Sequence, residues 1–305
     1  MKFEVTILGS SSATPIFNRN PTAQVLNINE KLYLIDCAEG TQQQMLRFDV
    51  KASRIDYIFI SHLHGDHYLG LVGLLSSMHL NGRKKTLKLF CPPPLKEIIE
   101  LQLKYSETTL NYIIEYVFTD ATTKGLILEN QDIYVETIPL DHRIPCTGFL
   151  FRQKKRLKKL IKERIEELEI PIPYYSAIKK GSDYVTPDGT VYKNDTLTTE
   201  PESPKSYAYV SDTIYSDKYL MQITNATLLY HEATFLHDML DRANQTHHTT
   251  AKQAGEVAVK ANSDKLIIGH FSARYKTLNE LLDEAKNVFP NTELAVEGKT
   301  FIISE

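Results

Sequence analysis

Three imidazoles and a carboxylate, His62, His64, Asp66 and His67, lie within six positions of one another in Ile60-Ser-His-Leu-His-Gly-Asp-His67. Neutral imidazole nitrogen and carboxylate oxygen are ordinary ligands for zinc and similar divalent ions. Without a cation, such a cluster would repel itself on protonation and strand polar atoms beside a sheet. A metal site accounts for all four residues; a polar loop with incidental histidines is the weaker alternative. More candidates follow apolar runs: Asp141-His142 after Pro139-Leu140, Asp212 after Tyr209-Val-Ser211, and His270 after Leu266-Ile-Ile-Gly269. Each alone could be an ordinary loop residue, but together they complete a ligand set. An aspartate such as Asp212 can bridge two cations, and two metals roughly 3.5–4 Å apart form a clamp suited to phosphoryl or carbonyl hydrolysis.

The elements that must position these residues are alternating strands and helices. The run Tyr57-Ile-Phe-Ile60 predicts a buried strand, followed by a turn at Gly65 that gathers the side chains. Lys2–Leu8, Ala23–Asn29 and Lys31–Asp36 are predicted strands, the last two joined at Asn29-Glu30. Helices are expected at Gly40–Phe48, Leu69–Leu80 and Leu95–Tyr105, the last opened by Pro92-Pro-Pro94. Later come strands at Ile133–Pro139, Tyr207–Val210, Thr227–His231 and Lys265–Gly269, with helices at Thr250–Ala261 and Thr277–Val288. This order predicts a layered α/β fold. Strand alternation sends His231 and Glu232 to opposite faces, leaving open which one meets the metals.

The chain has 305 residues, 42% of them hydrophobic, enough for one large core. A net charge of −3 means that any affinity for nucleic acid must come from a local surface. Cys37, Cys91 and Cys146 are odd in number and widely spaced, which predicts a reducing, cytoplasmic setting. No secretory leader or membrane-spanning run is expected. The one strongly basic run is Arg152-Gln-Lys-Lys-Arg-Leu-Lys-Lys-Leu-Ile-Lys-Glu-Arg164. Arg152, Lys154, Lys155, Arg156, Lys158 and Lys159 could pair with phosphates. Alternatively, Leu157, Leu160, Ile161, Ile165 and Leu168 make it an ordinary amphipathic helix with a solvated basic face.

The histidine pattern resembles the metallo-β-lactamase superfamily. Asp36-Cys-Ala-Glu-Gly-Thr-Gln-Gln-Gln44, His231-Glu-Ala-Thr-Phe235, His248-Thr-Thr-Ala-Lys-Gln253 and His270-Phe-Ser-Ala-Arg-Tyr275 resemble the ribonuclease Z family of tRNA 3′-processing endonucleases. The resemblance implies a four-layered αβ/βα sandwich with a basic arm inserted at about 152–204 as a tRNA-binding exosite. It implies two zinc ions, one held by His62, His64 and His142, the other by Asp66, His67 and His270, with Asp212 bridging. Asp66 is then the general base, and His248, steered by Glu232, donates to the departing ribose 3′-oxygen. A histidine beside a carboxylate suits that donor role. The competing reading puts His247 and His248 at a polar helix N-terminus capped by Thr246 or Thr249.

Three stretches depart from or qualify the family pattern. Ala38 stands where the family usually has glycine, Ile170-Pro-Ile-Pro-Tyr-Tyr175 lacks the arm's Gly-Pro pair, and Pro15–Asn20 lacks a lysine seen in some members. Arg274 and Tyr275 could contact phosphate or anchor the last loop. The expected protein is a zinc-dependent endoribonuclease acting on precursor tRNA as a homodimer. The alternatives are a two-metal phosphodiesterase for small cyclic or linear nucleotides and a metal-stabilised RNA-binding subunit without turnover.

Overall fold

Alternation along each strand sends one set of side chains to a neighbouring sheet and the other to a layer of helices. In the computed structural model, which describes residues 2–16 and 18–304, the first half supplies β1 (Phe3–Gly9), β2 (Ala23–Ile28), β3 (Lys31–Ile35), β4 (Ile55–Phe59), β5 (Leu87–Cys91) and β6 (Ile114–Phe118). Between them lie helices α1 (Thr41–Arg47), α2 (Gly65–Tyr68), α3 (Leu71–Leu80) and α4 (Pro94–Tyr105). Strands β7 (Leu126–Glu129), β8 (Ile133–Leu140) and β9 (Cys146–Gln153) follow. The chain then forms the short strands β10 (Lys159–Leu160), β11 (Tyr184–Val185), β12 (Val191–Tyr192) and β13 (Thr198–Thr199). It returns through β14 (Ser206–Val210), β15 (Leu228–Glu232), β16 (Leu266–Gly269), β17 (Thr292–Leu294) and β18 (Thr300–Ser304).

Two seven-stranded sheets result, ordered β18-β1-β2-β3-β4-β5-β6 and β17-β16-β15-β14-β9-β8-β7. Their inner faces meet through aromatic rings: Phe59 lies 5.3 Å from Phe149 and 5.2 Å from Phe151, and Tyr33 lies 6.1 Å from Phe151. Such edge-to-face pairs add about 0.5–1.5 kcal/mol each beyond burial. The other face of the first sheet packs Leu34, Ile58 and Leu89 against Met45, Leu74 and Leu95 of its helices. The second sheet packs Ala208, Leu229 and Ile268 against Ala254, Val257 and Leu281, which lie on helices Ala251–Lys260 and Asn279–Val288. The order is helix, sheet, sheet, helix, the metallo-β-lactamase fold. No helix among the described residues is long and apolar enough to cross a membrane.

The sheets and their helices form one compact unit, of residues 1–130, 134–152 and 205–305; residues 131–133 and 153–204 form a second. The second unit has its own small core of Ile165, Ile170, Ile178, Tyr184 and Leu197. Within it the expected amphipathic stripe is not a continuous helix. Strand β9 runs to Gln153, Lys159–Leu160 is a strand, and only Lys162–Glu167 is helical. Like charges three and four positions apart, such as Lys155/Lys158 and Lys154/Lys158, oppose a helix. Helix appears where acids enter, with Lys162 3.7 Å from Glu166 and Arg164 2.5 Å from Glu167.

Structure refines one local expectation and corrects another. The turn expected at Gly65 is a single helical turn, α2. Neither Thr246 nor Thr249 caps the later helix: Thr250 does, in a reciprocal capping box with Gln253, and His247 instead ends helix Leu240–Thr246 with a left-handed backbone. Strands β6, β7, β9, β17 and β18 have no counterpart in the pattern reading. Four of them, β6, β7, β17 and β18, are edge strands, where alternation is weakly imposed.

The histidine loop is held against the segment after β3. Cys37 N–H donates to the His67 carbonyl at 2.8 Å, and Gly70 N–H donates to the Cys37 carbonyl at 2.9 Å. A Cβ on Gly70 would lie 2.0 Å from the Ala38 carbonyl oxygen, so this approach requires glycine. Ala38 needs no left-handed backbone, because Asp36 (φ 54°) and Gly40 (φ 81°) make the turn. Gly70→Ala is expected to destabilise the fold by about 1–3 kcal/mol through overpacking. Equilibrium urea unfolding measures it, and an unaltered midpoint would mean that the two segments move apart freely.

Candidate metal centre

Every candidate ligand lies just beyond the carboxyl end of a strand, the place where open α/β sheets gather ligand groups. His62, His64, Asp66 and His67 follow β4; His142 follows β8; Asp212 follows β14; His270 follows β16. Strands β14, β15 and β16 are parallel and in register, pairing Val210 with His231 and Glu232 with Gly269. The chain leaves β14 and β16 through left-handed backbone at Asp212 (φ 37°) and His270 (φ 58°). This conformation costs a residue with a side chain roughly 1–2 kcal/mol.

Two groups of donor atoms form. His62 Nε2 lies 3.0 Å from His64 Nδ1, which lies 3.1 Å from His142 Nε2. Asp212 Oδ2 stands 3.6 Å from His62 Nε2 and 3.8 Å from His142 Nε2. In the second group His67 Nε2 is 3.3 Å from His270 Nε2, and Asp66 Oδ2 is 3.7 and 3.4 Å from them. The other oxygen of Asp212 lies 3.2 Å from both His67 Nε2 and His270 Nε2. Asp212 therefore turns one oxygen toward each group, and the donors in each lie within 4.8 Å of one another.

The remaining ring nitrogens show why these donors face inward. His67 Nδ1 lies 2.8 Å from Asp36 Oδ2, His142 Nδ1 donates to the His247 carbonyl at 2.9 Å, and His270 Nδ1 meets Thr234 Oγ1 at 3.0 Å. Ser61 Oγ gives its own proton to Asp36 and so accepts from His62 Nδ1 at 3.0 Å. With those protons placed, the facing nitrogens carry lone pairs at about 3 Å from one another, an arrangement that suits a cation. Burial keeps His62 well below its ordinary range, takes His142 down to about 4 and lowers His64 as well, so these rings are neutral, the coordinating form. At His67 burial is outweighed by Asp212, Asp36 and Asp66, which push it well above its ordinary range and so favour a cation at this point. A nitrogen and oxygen donor set without thiolate fits zinc, manganese or iron, and its two groups are consistent with a dinuclear site.

Glu232, not His231, faces this centre. Glu232 Oε1 accepts from Thr213 N at 2.8 Å and His248 Nδ1 at 2.9 Å, while Oε2 accepts from Thr234 Oγ1 at 2.5 Å. His231 points away and accepts from the Tyr219 hydroxyl at 2.9 Å. Burial disfavours a charged His248, but Glu232 prevails and raises it to about 9. Asp66 is held low despite burial, chiefly by His67 and His270, and its Oδ2 also accepts from Ala13 N at 2.6 Å.

The cleft over the donors has a volume of about 320 Å³ and is lined by Ala13, Glu39, Asp66, Arg143, His248 and His270, among others. Arg143 and Asp36 are functional candidates that pattern reading missed. Arg143 adjoins His142, and Asp36 directly follows β3 within Asp36–Gln44, so adjacency to these segments was the available signal. Of the residues expected to meet RNA, Lys154, Lys155, Arg156, Lys158 and Lys159 belong to the second unit. Arg152 is half-buried and donates to the Gln222 carbonyl at 2.8 Å. Arg274 lies over the Phe235 ring at 5.0 Å, and Tyr275 anchors the last loop by accepting from Leu236 N at 2.9 Å. In the stretch Pro15–Asn20, Phe17 lies outside the described residues, and Arg19 ties the stretch to the Tyr275 carbonyl at 2.8 Å.

Asp36 is buried and receives Ser61 N at 2.8 Å and the Tyr209 hydroxyl at 2.7 Å besides His67. Asp36→Asn, which keeps the shape but not the acceptor for His67, is expected to weaken binding of one metal ion 10- to 100-fold. Competition with a chromophoric chelator measures it; equal affinities would detach Asp36 from the metal centre.

The model of the family described as anti-Pycsar protein Apyc1 matches residues 3–158, which include the histidine loop and His142. Ribonuclease Z of Bacteroides fragilis is 45% identical over 97% of this chain and 98% of its own length. Ribonuclease Z of Cytophaga hutchinsonii is 46% identical over 100% of this chain and 97% of its own. Among solved structures, human tRNase Z, short form, superposes with a TM-score of 0.72 at 24% identity, covering 99% of this chain and 100% of that one. With relatives this similar along nearly its whole length, the chain belongs to the ribonuclease Z family of the metallo-β-lactamase superfamily.

Proposed function

We propose that this protein removes 3′ trailers from precursor tRNA, leaving a 3′-hydroxyl on the tRNA, with two zinc ions per chain. As a ribonuclease Z it is a metal-dependent endoribonuclease. The observation that carries the reading is the pairing of two donor groups with a separate proton donor, His248, on the rim of the same cleft. His62, His64 and His142 would hold one ion, Asp66, His67 and His270 the other, with Asp212 between them. When bound, the ions supply Lewis acidity, which makes water a competent nucleophile near pH 7 and offsets charge on the phosphoryl oxygens.

The chain's own groups do the rest. Asp66, ionised and at the cleft, takes the proton of the attacking water. His248 carries a proton at neutral pH because Glu232 holds its Nδ1, which leaves Nε2 to protonate the departing ribose 3′-oxygen. Glu232 also reaches His270 through Thr234, so one carboxylate orients both the donor and a ligand. Zinc-loaded protein is expected to cut a 3′-extended precursor once, near the discriminator base. Chelation or Asp66→Ala should abolish the cut, and His248→Ala should lower kcat by 10²–10⁴-fold. Product-end mapping decides: hydrolysis of a small phosphodiester with the precursor left intact would move the substrate to small nucleotides.

The second unit is proposed as the tRNA-binding arm. Lys155, Arg156 and Lys159 are exposed, although Lys155 shares Glu200 with Lys158 at 3.6 and 2.8 Å. Arg156 and Lys159 have no ion-pair partner among the described residues. Lys154 and Lys158 complete the cluster, whereas Arg152 and Arg274 are committed to neighbours in the body. The reading includes a homodimer, supported by exposed Leu46 on the rim of a groove of about 800 Å³. It also includes a cytoplasmic location, supported by three buried cysteines that are all free. Replacing Lys155, Arg156 and Lys159 by alanine is expected to raise KM for precursor tRNA rather than lower kcat. The salt dependence of binding should flatten by roughly 2–3 in log–log slope. An unaltered slope would place the phosphate contacts elsewhere.

A further inference from the structure

RNA carries a phosphate at every nucleotide, so the phosphates beside the scissile one need counter-charge as well. Among the described residues that line the metal cleft, Arg143 is the one lysine or arginine. The carboxylates there are Glu39, Asp66 and Asp212, and the last two face the donor groups. Arg143 is exposed and has no ion-pair partner among the described residues. A cation left free at the mouth of a phosphodiester cleft is placed to meet a phosphate.

At Arg143 the cleft gives way to a groove of about 870 Å³, and no other described residue lines both. The groove presents three cations, Lys124, Arg143 and Lys218, against one carboxylate, Asp141. Lys218 lies 3.4 Å from Asp141, and Lys124 lies 2.8 Å from Glu136. The two lysine side chains are 78% and 54% exposed, so these pairs are weak and a phosphate can compete for them. Leu140, Ile144, Pro145 and Met221 supply apolar wall among the cations. Phosphates on mobile cations and bases on apolar wall are what an unpaired strand of any sequence requires.

His248 gives the groove a direction. In the endoribonuclease reading it protonates the 3′-oxygen that stays with the tRNA, and it lines the cleft but not the groove. The groove thus leaves the cleft away from the tRNA end, and the strand on that side of the cut is the trailer. We propose that Arg143 grips the trailer phosphate next to the scissile one, and that the groove over Lys218 and Lys124 carries the trailer onward. The proposal rests on the endoribonuclease reading and gives the departing strand binding residues distinct from the basic run.

The test measures binding of precursor tRNAs with trailers of one, two and six nucleotides to zinc-loaded His248→Ala protein, in which cleavage is slow. The second nucleotide adds the phosphate assigned to Arg143 and should tighten Kd about ten-fold or more. Arg143→Ala should erase that step, and Arg143→Lys, which keeps the charge but not the fork, should retain part of it. Going from two nucleotides to six should tighten binding again, and Lys124→Ala with Lys218→Ala, or high salt, should remove this gain. Bound zinc and melting temperature check each variant, and the lysine pair gives a result that does not depend on a neighbour of His142. Affinity independent of trailer length would overturn the proposal, as would steps that survive these substitutions. Equal weakening for all three trailers in Arg143→Ala would put Arg143 on the scissile phosphate or the tRNA end and overturn it too. Cleavage by the unsubstituted protein runs in parallel. Steps in affinity without any cut would refute the tRNA-processing reading and leave the strand track standing; a correct cut without steps would do the reverse.

Discussion

Asp212 is the group on which the centre depends. It is buried, it turns one oxygen toward each set of imidazoles, and it is the one carboxylate common to both. Five histidine nitrogens facing one another at contact distance have no stable arrangement of protons alone. Either some rings are charged in a buried space or some lone pairs oppose each other. A divalent ion on each side of Asp212 would resolve the conflict, because the lone pairs would become ligands and the carboxylate would offset the two charges.

Everything around that carboxylate keeps it and its partners from turning. Asp36 takes four hydrogen bonds from Ser61 N, Ser61 Oγ, Tyr209 and His67, so its charge is fully satisfied in the interior. Tyr209 belongs to the second sheet and Asp36 follows the first, so this one group ties the two sheets together beneath the metals. Glu232 has the same standing on the far side, joined to Thr213, Thr234 and His248. Left-handed backbone at Asp36, Asp212, His247 and His270 shows the conformational strain this convergence requires. Packed aromatic rings between the sheets stabilise the scaffold that holds it.

The candidate ligands and the basic run occupy different compact units. The donors, the His248–Glu232 pair and the cleft belong to the sandwich, whereas the basic run belongs to a unit with its own core and few long elements. Charge in that run is local: the acids after Lys162 balance the bases there, leaving residues 154–159 as the one cationic stretch.

The ligand types, their order and their place after apolar strands were all legible in the amino-acid sequence. His62 to His67 are contiguous, and the other ligands follow strands short enough to recognise by composition. The layered fold was legible for the same reason, since parallel strands buried on both faces are nearly continuous apolar runs. The role of Asp36, the choice of Glu232 over His231 and the presence of Arg143 in the cleft were decided by tertiary structure. Each depends on the register between strands far apart in the chain or on which way a left-handed turn sends a side chain. The basic run misled helical periodicity because spacing alone is blind to like-charge repulsion and to the small core that captures Leu160 and Ile165. Composition names the groups that can do chemistry; only long-range pairing determines which of them meet, because meeting is a property of the sheet and not of the segment.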